Sequence, residues 1–282
     1  MELISKNDRT TTFQVEEHHY SPEEDRPGLQ GLLIPGRRGR LLGALYTAAG
    51  PGPHPVILIF HGIPGVERNL DLAQHFRREG FHVVTFHYSG SWGSDGDYAV
   101  SNCFEDCDSV LDYIRKNENG WFDLNNVMIL GHSMGGLMAA RAGATEEFVK
   151  ACVILVPMDF RLAAEEAMGL RPQKYRTHIE NSSLWLNGLS WESFCKDAEE
   201  HMEQMDLISY ASGLAEKSVL TVIAEQDPLL PPEDHIYRLN AAIEACGKGK
   251  LRTVRFADDH CYNVYRAEVR KTVVDYLKEQ VS

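Results

Sequence analysis

Gly131-His132-Ser133-Met134-Gly135 is the stretch whose residue types and spacing speak most directly of chemistry, a match to G-x-S-x-G. An apolar run at 127–130, with the length and β-branched content of a buried strand, leads into it. Leu137, Met138, Ala139 and Ala140 follow at helix-forming density. In this strand–turn–helix setting the serine occupies a turn so tight that its hydroxyl stands clear of the chain. The residues two positions away on either side are glycine because a Cβ there would collide with the folded-back backbone. The following helix directs its N-terminal N–H groups toward the same point, where an oxyanion would form. A Gly-rich turn carrying an incidental serine is the bland alternative, and the flanking strand and helix disfavour it.

A serine hydroxyl is a weak nucleophile and needs a general base within hydrogen-bond reach, itself oriented by a carboxylate. In a doubly wound sheet such groups come from loops at the carboxyl ends of strands, in the chain order Ser, then Asp or Glu, then His. Asp227, after an apolar run at 219–224, and His260, after a run at 251–256, satisfy both conditions. Asp159 is the rival acid, since it also closes a strand, whereas Asp258 and Asp259 lie too near His260 to face it and are expected to hold its loop. Among the remaining histidines, His18, His19, His54, His178, His201 and His235 are expected at the surface, and His82 within a strand. His132 adjoins the serine and is expected to shape the pocket rather than act as base. Two backbone N–H donors are needed for an oxyanion. Met134 supplies one, and Ile63, in His61-Gly62-Ile63-Pro64-Gly65 after the strand at 56–60, is expected to supply the other.

These groups need a frame, and the hydrophobic pattern supplies one. Segments at 31–34 and 41–46 read as paired strands around a turn at 35–39, with an edge strand near 11–15 before them. Strands at 56–60, 81–86, 127–130 and 151–156 alternate with helices at 70–79, 104–116 and after Ser133, the mark of a parallel sheet. Gly80 reads as the stop of its helix. From 158 to 216 no convincing strand occurs, and a structureless loop of that length inside a compact domain is improbable. The segment 158–216 is therefore expected to be a helical cap inserted in an α/β core made of 1–157 and 217–282. Within it 162–168 and 194–205 read as helices around an aromatic stretch at 184–191. Strands at 219–224 and 251–256 and helices at 234–246 and 267–278 complete the sheet.

Composition narrows the classes further. The 282 residues carry 43% apolar and 24% charged side chains, as in ordinary soluble globular chains. No run approaches the apolar length a membrane span needs. The start of the chain lacks the basic-then-apolar order of a signal peptide. A formal charge of −13 argues against nucleic acid or an anionic membrane as partner. Six cysteines without C-x-x-C pairs read as free thiols in a reducing compartment, so a cytoplasmic location is expected. Neither His18-His19 nor Cys103 with Cys107 offers the converging ligands of a zinc site, and Gly90, Gly93 and Gly96 lack dinucleotide-loop spacing, so no metal or cofactor is expected.

The chain resembles the α/β-hydrolase superfamily over residues 30–280, and within it the small carboxylesterases of the cinnamoyl/feruloyl type. His61-Gly62-Ile63-Pro64-Gly65, Asn69, Leu72-Ala73, Gly80-Phe81, Gly90, Gly93-Ser94 and Asp95-Gly96 carry that likeness. The resemblance places the nucleophile on Ser133, the acid on Asp227, the base on His260 and the oxyanion donors on Ile63 and Met134, and it implies a helical insertion where the cap falls. His87-Tyr88-Ser89-Gly90 stands where such esterases carry Asp-x-Arg-Gly, which removes a loop-bracing ion pair. The expected activity is hydrolysis of a small-molecule carboxylic ester through an acyl-enzyme, with a homodimer left open as the assembly. Met158, Leu184, Trp185, Leu186 and Trp191 are the expected walls for an apolar acyl group, with simple cap packing as the alternative. A peptidase of the prolyl oligopeptidase type, and a non-catalytic ligand-binding protein on the same fold, are the competing readings.

Overall fold

The structure, a computed structural model, describes residues 26–247 and 249–281. The strand expected near 11–15, together with His18 and His19, lies outside them. Eight strands form one sheet: β1 (Gly28–Gly36), β2 (Gly39–Thr47), β3 (His54–Phe60), β4 (His82–Phe86), β5 (Phe122–His132), β6 (Val149–Leu155), β7 (Ser218–Ala224) and β8 (Lys250–Phe256). Their order is β1-β2-β4-β3-β5-β6-β7-β8. Pairings of β1 with β2 and β2 with β4 are antiparallel, and the others are parallel. Strands β3, β5, β6 and β7 are buried almost throughout, which is why they read as unbroken apolar runs instead of alternating ones.

Helices cover both faces. On one, α1 (Leu70–Arg78) and α9 (Arg266–Glu279) pack Leu72, Phe76, Val269, Val273 and Leu277 against Ile57, Ile59 and Met128 of the sheet. On the other, α2 (Val100–Lys116), α3 (Met134–Thr145) and α8 (Ile236–Ala245) cover Leu58, Phe60 and Ile129. Helix α2 begins four residues before the expected 104, because its start has no side-chain cap to announce it.

Between β6 and β7 the chain runs through α4 (Phe160–Ala167), α5 (Arg176–Ser183), α6 (Trp191–His201), a 3-10 turn (Leu207–Tyr210) and α7 (Ala211–Leu214). Its buried side chains, Phe160, Ile179, Phe194 and Ala198, join the same apolar cluster as α2 and α3. Helix α5 had no sequence signal. Its Arg-Thr-His-Ile-Glu-Asn-Ser-Ser run has almost no apolar periodicity. It is started from outside: the buried Glu166 carboxylate accepts from the backbone N–H groups of Lys174, Tyr175 and Arg176 at 2.7, 2.7 and 2.8 Å. That carboxylate satisfies the orphan donors of the first turn in place of a local cap. Helix α6 starts three residues before the expected 194, at a capping box formed by Ser190 and Ser193.

Candidate active site

Ser133 joins β5 to α3 with φ 59° and ψ −121°, a strained conformation for a residue with a Cβ. Its N–H donates to Leu155 O at 3.0 Å, and its carbonyl accepts from Gly136 N at 2.8 Å and Met158 N at 3.0 Å. The flanking glycines are required by contact distances. A Cβ on Gly131 would lie 1.9 Å from Gly135 O, and one on Gly135 would lie 1.9 Å from Phe60 O. The start of α3 therefore presses on the end of β3, and this close approach brings the loop after β3 to the serine. A Cβ on Gly62 would meet Ser133 Cβ at 2.9 Å and Oγ at 3.4 Å. Gly135→Ala is expected to destabilise the protein by about 3 kcal/mol, the upper end for overpacking, because the opposing atom is backbone. A thermal melt measures it, and an unchanged melt would contradict this packing.

Asp227, after β7, and His260, after β8, are brought together. His260 Nδ1 lies 2.6 Å from Asp227 Oδ2, with the Asp227 side chain wholly buried. The other carboxylate oxygen of Asp227 accepts from Leu229 N and Leu230 N, both at 2.9 Å. With Asp227 accepting from Nδ1–H, the lone pair of His260 falls on Nε2. The His260 ring packs against His132 with centres 4.9 Å apart, and His132 Nε2–H donates to His260 O at 2.9 Å. His132 thus supports the loop that carries His260. No hydrogen bond joins Ser133 Oγ to His260 in this structure. Pairs of this kind are often long without substrate and tighten in the reactive complex. The loop itself is held by Asp258, which accepts from Asp259 N, Val264 N and Tyr265 N, and by Asp259, which accepts from Cys261 N and Asn263 N. Asp159, the rival acid, caps α4 and binds Leu207 N and Arg238.

The amides of Ile63 and Met134 have no acceptor among the described residues. The Tyr98 hydroxyl lies 2.8 Å from Met134 Sδ, fixing that side chain. The loop after β4, which lacks an Asp–Arg pair, is braced instead by Ser89, whose N and Oγ donate to Asp106 at 2.7 and 2.8 Å, and by Arg40 with Asp95. Trp92 in this loop has φ 47° and donates Nε1–H to Pro64 O at 2.6 Å, next to Ile63.

The residues expected to wall an acyl pocket separate. Leu184 is 79% and Trp185 58% exposed, so neither encloses a pocket by itself. Trp185 stacks on Trp92, ring centres 5.8 Å apart, which ties the 184–191 stretch to the loop beside Ile63. Leu186 is buried and bridges to Ser91, Met158 is buried beneath the serine, and Trp191 packs on Phe194 and Arg176. Four histidines expected at the surface are covered. His54, in β3, is half-buried with Nδ1 3.2 Å from Gly80 O and Nε2 2.9 Å from Gly50 O, and His201 is half-buried against Asp197. His235 is buried, accepting from Asp159 N at 3.1 Å and meeting the Tyr175 hydroxyl at 3.2 Å; its polar sequence neighbours hid a cover supplied by Tyr175, just before α5. His178 of α5 is half-buried, and its pKa is lowered by burial and then by His260 nearby. Sequence reasoning missed His178 because α5 itself was invisible.

Burial holds His61 and His132 neutral, each with a pKa lowered to about 3. Unfolding exposes both to water, where they take up protons near pH 6.5, so the unfolded state binds more protons below that value. Their contribution to stability is therefore complete above pH 6.5 and is lost as pH falls toward 3, each at about 1.4 kcal/mol per pH unit. Melting temperatures measured from pH 7 to pH 5 are expected to fall steadily, and a flat profile would contradict the burial.

A family model described as alpha/beta hydrolase fold matches residues 55–196. The lysophosphatidylserine lipase ABHD12 of Gallus gallus is 35% identical over 240 residues, 79% of this chain and 58% of that protein. The chain thus spans little more than half the length of that curated relative. Est1E of Butyrivibrio proteoclasticus, solved with ferulic acid, superposes with a TM-score of 0.69 at 21% identity, covering 88% of this chain and 98% of that one. Acylaminoacyl peptidase of Pyrococcus horikoshii superposes with a TM-score of 0.68 at 16% identity, covering 90% of this chain and 42% of that one.

Proposed function

Because the chain belongs to the α/β-hydrolase family, we propose that it hydrolyses carboxylic esters through an acyl-enzyme on Ser133. The observation that carries this reading is the 2.6 Å contact of His260 Nδ1 with buried Asp227, on a loop packed against the elbow that bears Ser133. In the proposed reaction His260 Nε2 takes the proton of Ser133 Oγ as that oxygen attacks the acyl carbon. The amides of Ile63 and Met134 stabilise the oxyanion, and His260 returns the proton to the departing alcohol. Water, activated by the same imidazole, then attacks the acyl-enzyme, releases the acid and restores the serine.

A fluorophosphonate probe is expected to label the protein at Ser133, while an intact protein that stays unlabelled would favour ligand binding without catalysis. Parallel assays on p-nitrophenyl esters and aminoacyl-nitroanilides separate esterase from peptidase, and turnover of the anilides alone would reverse the assignment. Lysophosphatidylserine belongs among the esters assayed, given the relative that carries that name. The formal charge of −13 and six free thiols support a cytoplasmic enzyme without a nucleic-acid partner. Among the described residues no helix is long and apolar enough to cross a membrane.

Trp92 is assigned a positioning role in this reading. Trp92→Phe keeps a ring to stack on Trp185 but deletes the donor to Pro64 O, so the Ile63 amide loses its brace. The expected result is a kcat lowered about tenfold with KM nearly unchanged. Trp185→Ala leaves the Nε1–H in place and is expected to change KM more than kcat. Equal effects of both variants on the two constants would remove the assignment.

A further inference from the structure

Helix α5 lies over the carboxyl ends of β6 and β7. The Tyr175 hydroxyl at its start meets His235 Nε2 at 3.2 Å, and His235 Nδ1 accepts from Asp159 N at 3.1 Å. Asp159 follows β6, and the segment after β7 that ends at His235 carries Asp227. Tyr175, His178 and Ser182 succeed one another at spacings of three and four residues, so they share one side of the helix. Tyr175 and Ser182 on that side are buried, and Ile179 beside them joins the apolar cluster, whereas His178 is half-buried.

This ring can be reached from solvent. The backbone carbonyl of His178 accepts from Ser182 Oγ at 2.8 Å, but its two ring nitrogens bond no described residue, and neither is among the buried unpaired polar atoms. Both therefore keep accessible surface, as does His260, whose side chain is 17% exposed. Burial and then His260 lower the pKa of His178, so its ring is neutral at pH 7 and lies within electrostatic reach of the base. An imidazolium formed on His260 during turnover opposes protonation of His178 further. The ring thus offers one N–H and one lone pair through the whole cycle. The cations around the start of α5 are already matched, Arg171 with Glu165, Lys174 with Asp234, Arg176 with Glu180 and Arg238 with Asp159.

We propose that His178 is a specificity residue of the esterase site, binding a hydroxyl carried by the alcohol half of the substrate close to the ester oxygen. The proposal rests on the reading of Ser133 and His260 as nucleophile and base. The departing oxygen takes its proton from His260 Nε2, so the alcohol half lies on the His260 side of the acyl carbon. A ring beside His260 meets the substituents of that half. A hydroxyl donates and accepts, as a neutral imidazole does, so the two are complementary. A phosphate or carboxylate at the same place would face one neutral donor and cations that already have partners. The substrate class is therefore an ester of a neutral polyol, with glycerol as a simple member.

Monobutyrin and propyl butyrate share an acyl group and differ by the hydroxyls of the alcohol. Their kcat/KM ratio is measured with the full chain and divided by the ratio for alkaline hydrolysis, which removes the difference in leaving group. The parent is expected to favour monobutyrin about tenfold after this correction, the worth of one or two hydrogen bonds. His178→Ala is expected to abolish the preference, and His178→Gln, which keeps a donor and an acceptor, to retain part of it. A ratio that His178→Ala leaves unchanged, whether both rates hold or both fall, would overturn the proposal, since a merely structural ring serves the two esters alike. NMR of the His178 ring in Ser133→Ala, where nothing turns over, reads the contact directly. Monobutyrin is expected to shift those signals well beyond propyl butyrate, and equal shifts or none would overturn the proposal. A parent that hydrolyses neither ester would instead sink the esterase reading, and the NMR titration would still decide the contact.

Discussion

Ser133→Ala is expected to lower kcat for p-nitrophenyl ester hydrolysis by about 10⁴-fold or more, with little change in the melting temperature. The loss is large because no other described group near His260 presents a hydroxyl on a turn that holds it against two free amides. Stability is expected to hold because alanine occupies the same left-handed backbone at a similar strain. Ser133→Gly sharpens the test. Glycine relieves the φ 59° conformation, so this variant is expected to be inactive yet more stable than the parent by about 1 kcal/mol. Rates with both variants, set beside their thermal melts, check the prediction. Residual hydrolysis within tenfold of the parent in Ser133→Ala would move the chemistry elsewhere.

Asp227→Asn is expected to cost about 10⁴-fold in kcat near neutral pH while leaving KM within a small factor. The carboxylate oxygen that faces His260 accepts Nδ1–H, and an amide nitrogen in that place can only donate. The imidazole then turns to the tautomer with its hydrogen on Nε2 and cannot take the serine proton. The second oxygen of Asp227 accepts from Leu229 N and Leu230 N, and the asparagine carbonyl can still do so, so the loop is expected to keep its shape. A pH–rate profile and a thermal melt on the same sample separate lost tautomer control from lost structure. Hydrolysis at the parent rate would show that Asp227 orients nothing needed for the reaction.

The parts of this site that could be read in advance are those whose determinants are local. Gly131, Ser133 and Gly135 announce the elbow because their own backbone demands them, and contact distances of 1.9 Å on either glycine show the demand. Asp227 and His260 could be picked out because a parallel sheet sends catalytic groups to strand ends in a set chain order. The bracing of the His260 loop by Asp258 and Asp259 is likewise local, each carboxylate meeting amides within seven residues.

The segment between β6 and β7 was opaque for the opposite reason. Helix α5 depends on Glu166, a carboxylate in another helix, so its own residues carry no helical period and its His178 looked like a surface histidine. His235 looked the same until Tyr175 and Asp159 closed over it. The apolar character of Leu184 and Trp185 alone suggests pocket walls. Their exposure, and the stacking of Trp185 on Trp92, depend on how the stretch crosses the loop after β4.

From residue order alone came the alternation of strands and helices, the elbow, and the candidates Asp227 and His260 at strand ends, because near neighbours and the sheet's periodicity dictate them. Only the tertiary structure decided which donors remain unpaired around Ser133 and what braces the loop after β4. Each of these is settled by which distant backbone or side chain fills the facing position, and pairings across scores of residues leave no periodic trace in the chain.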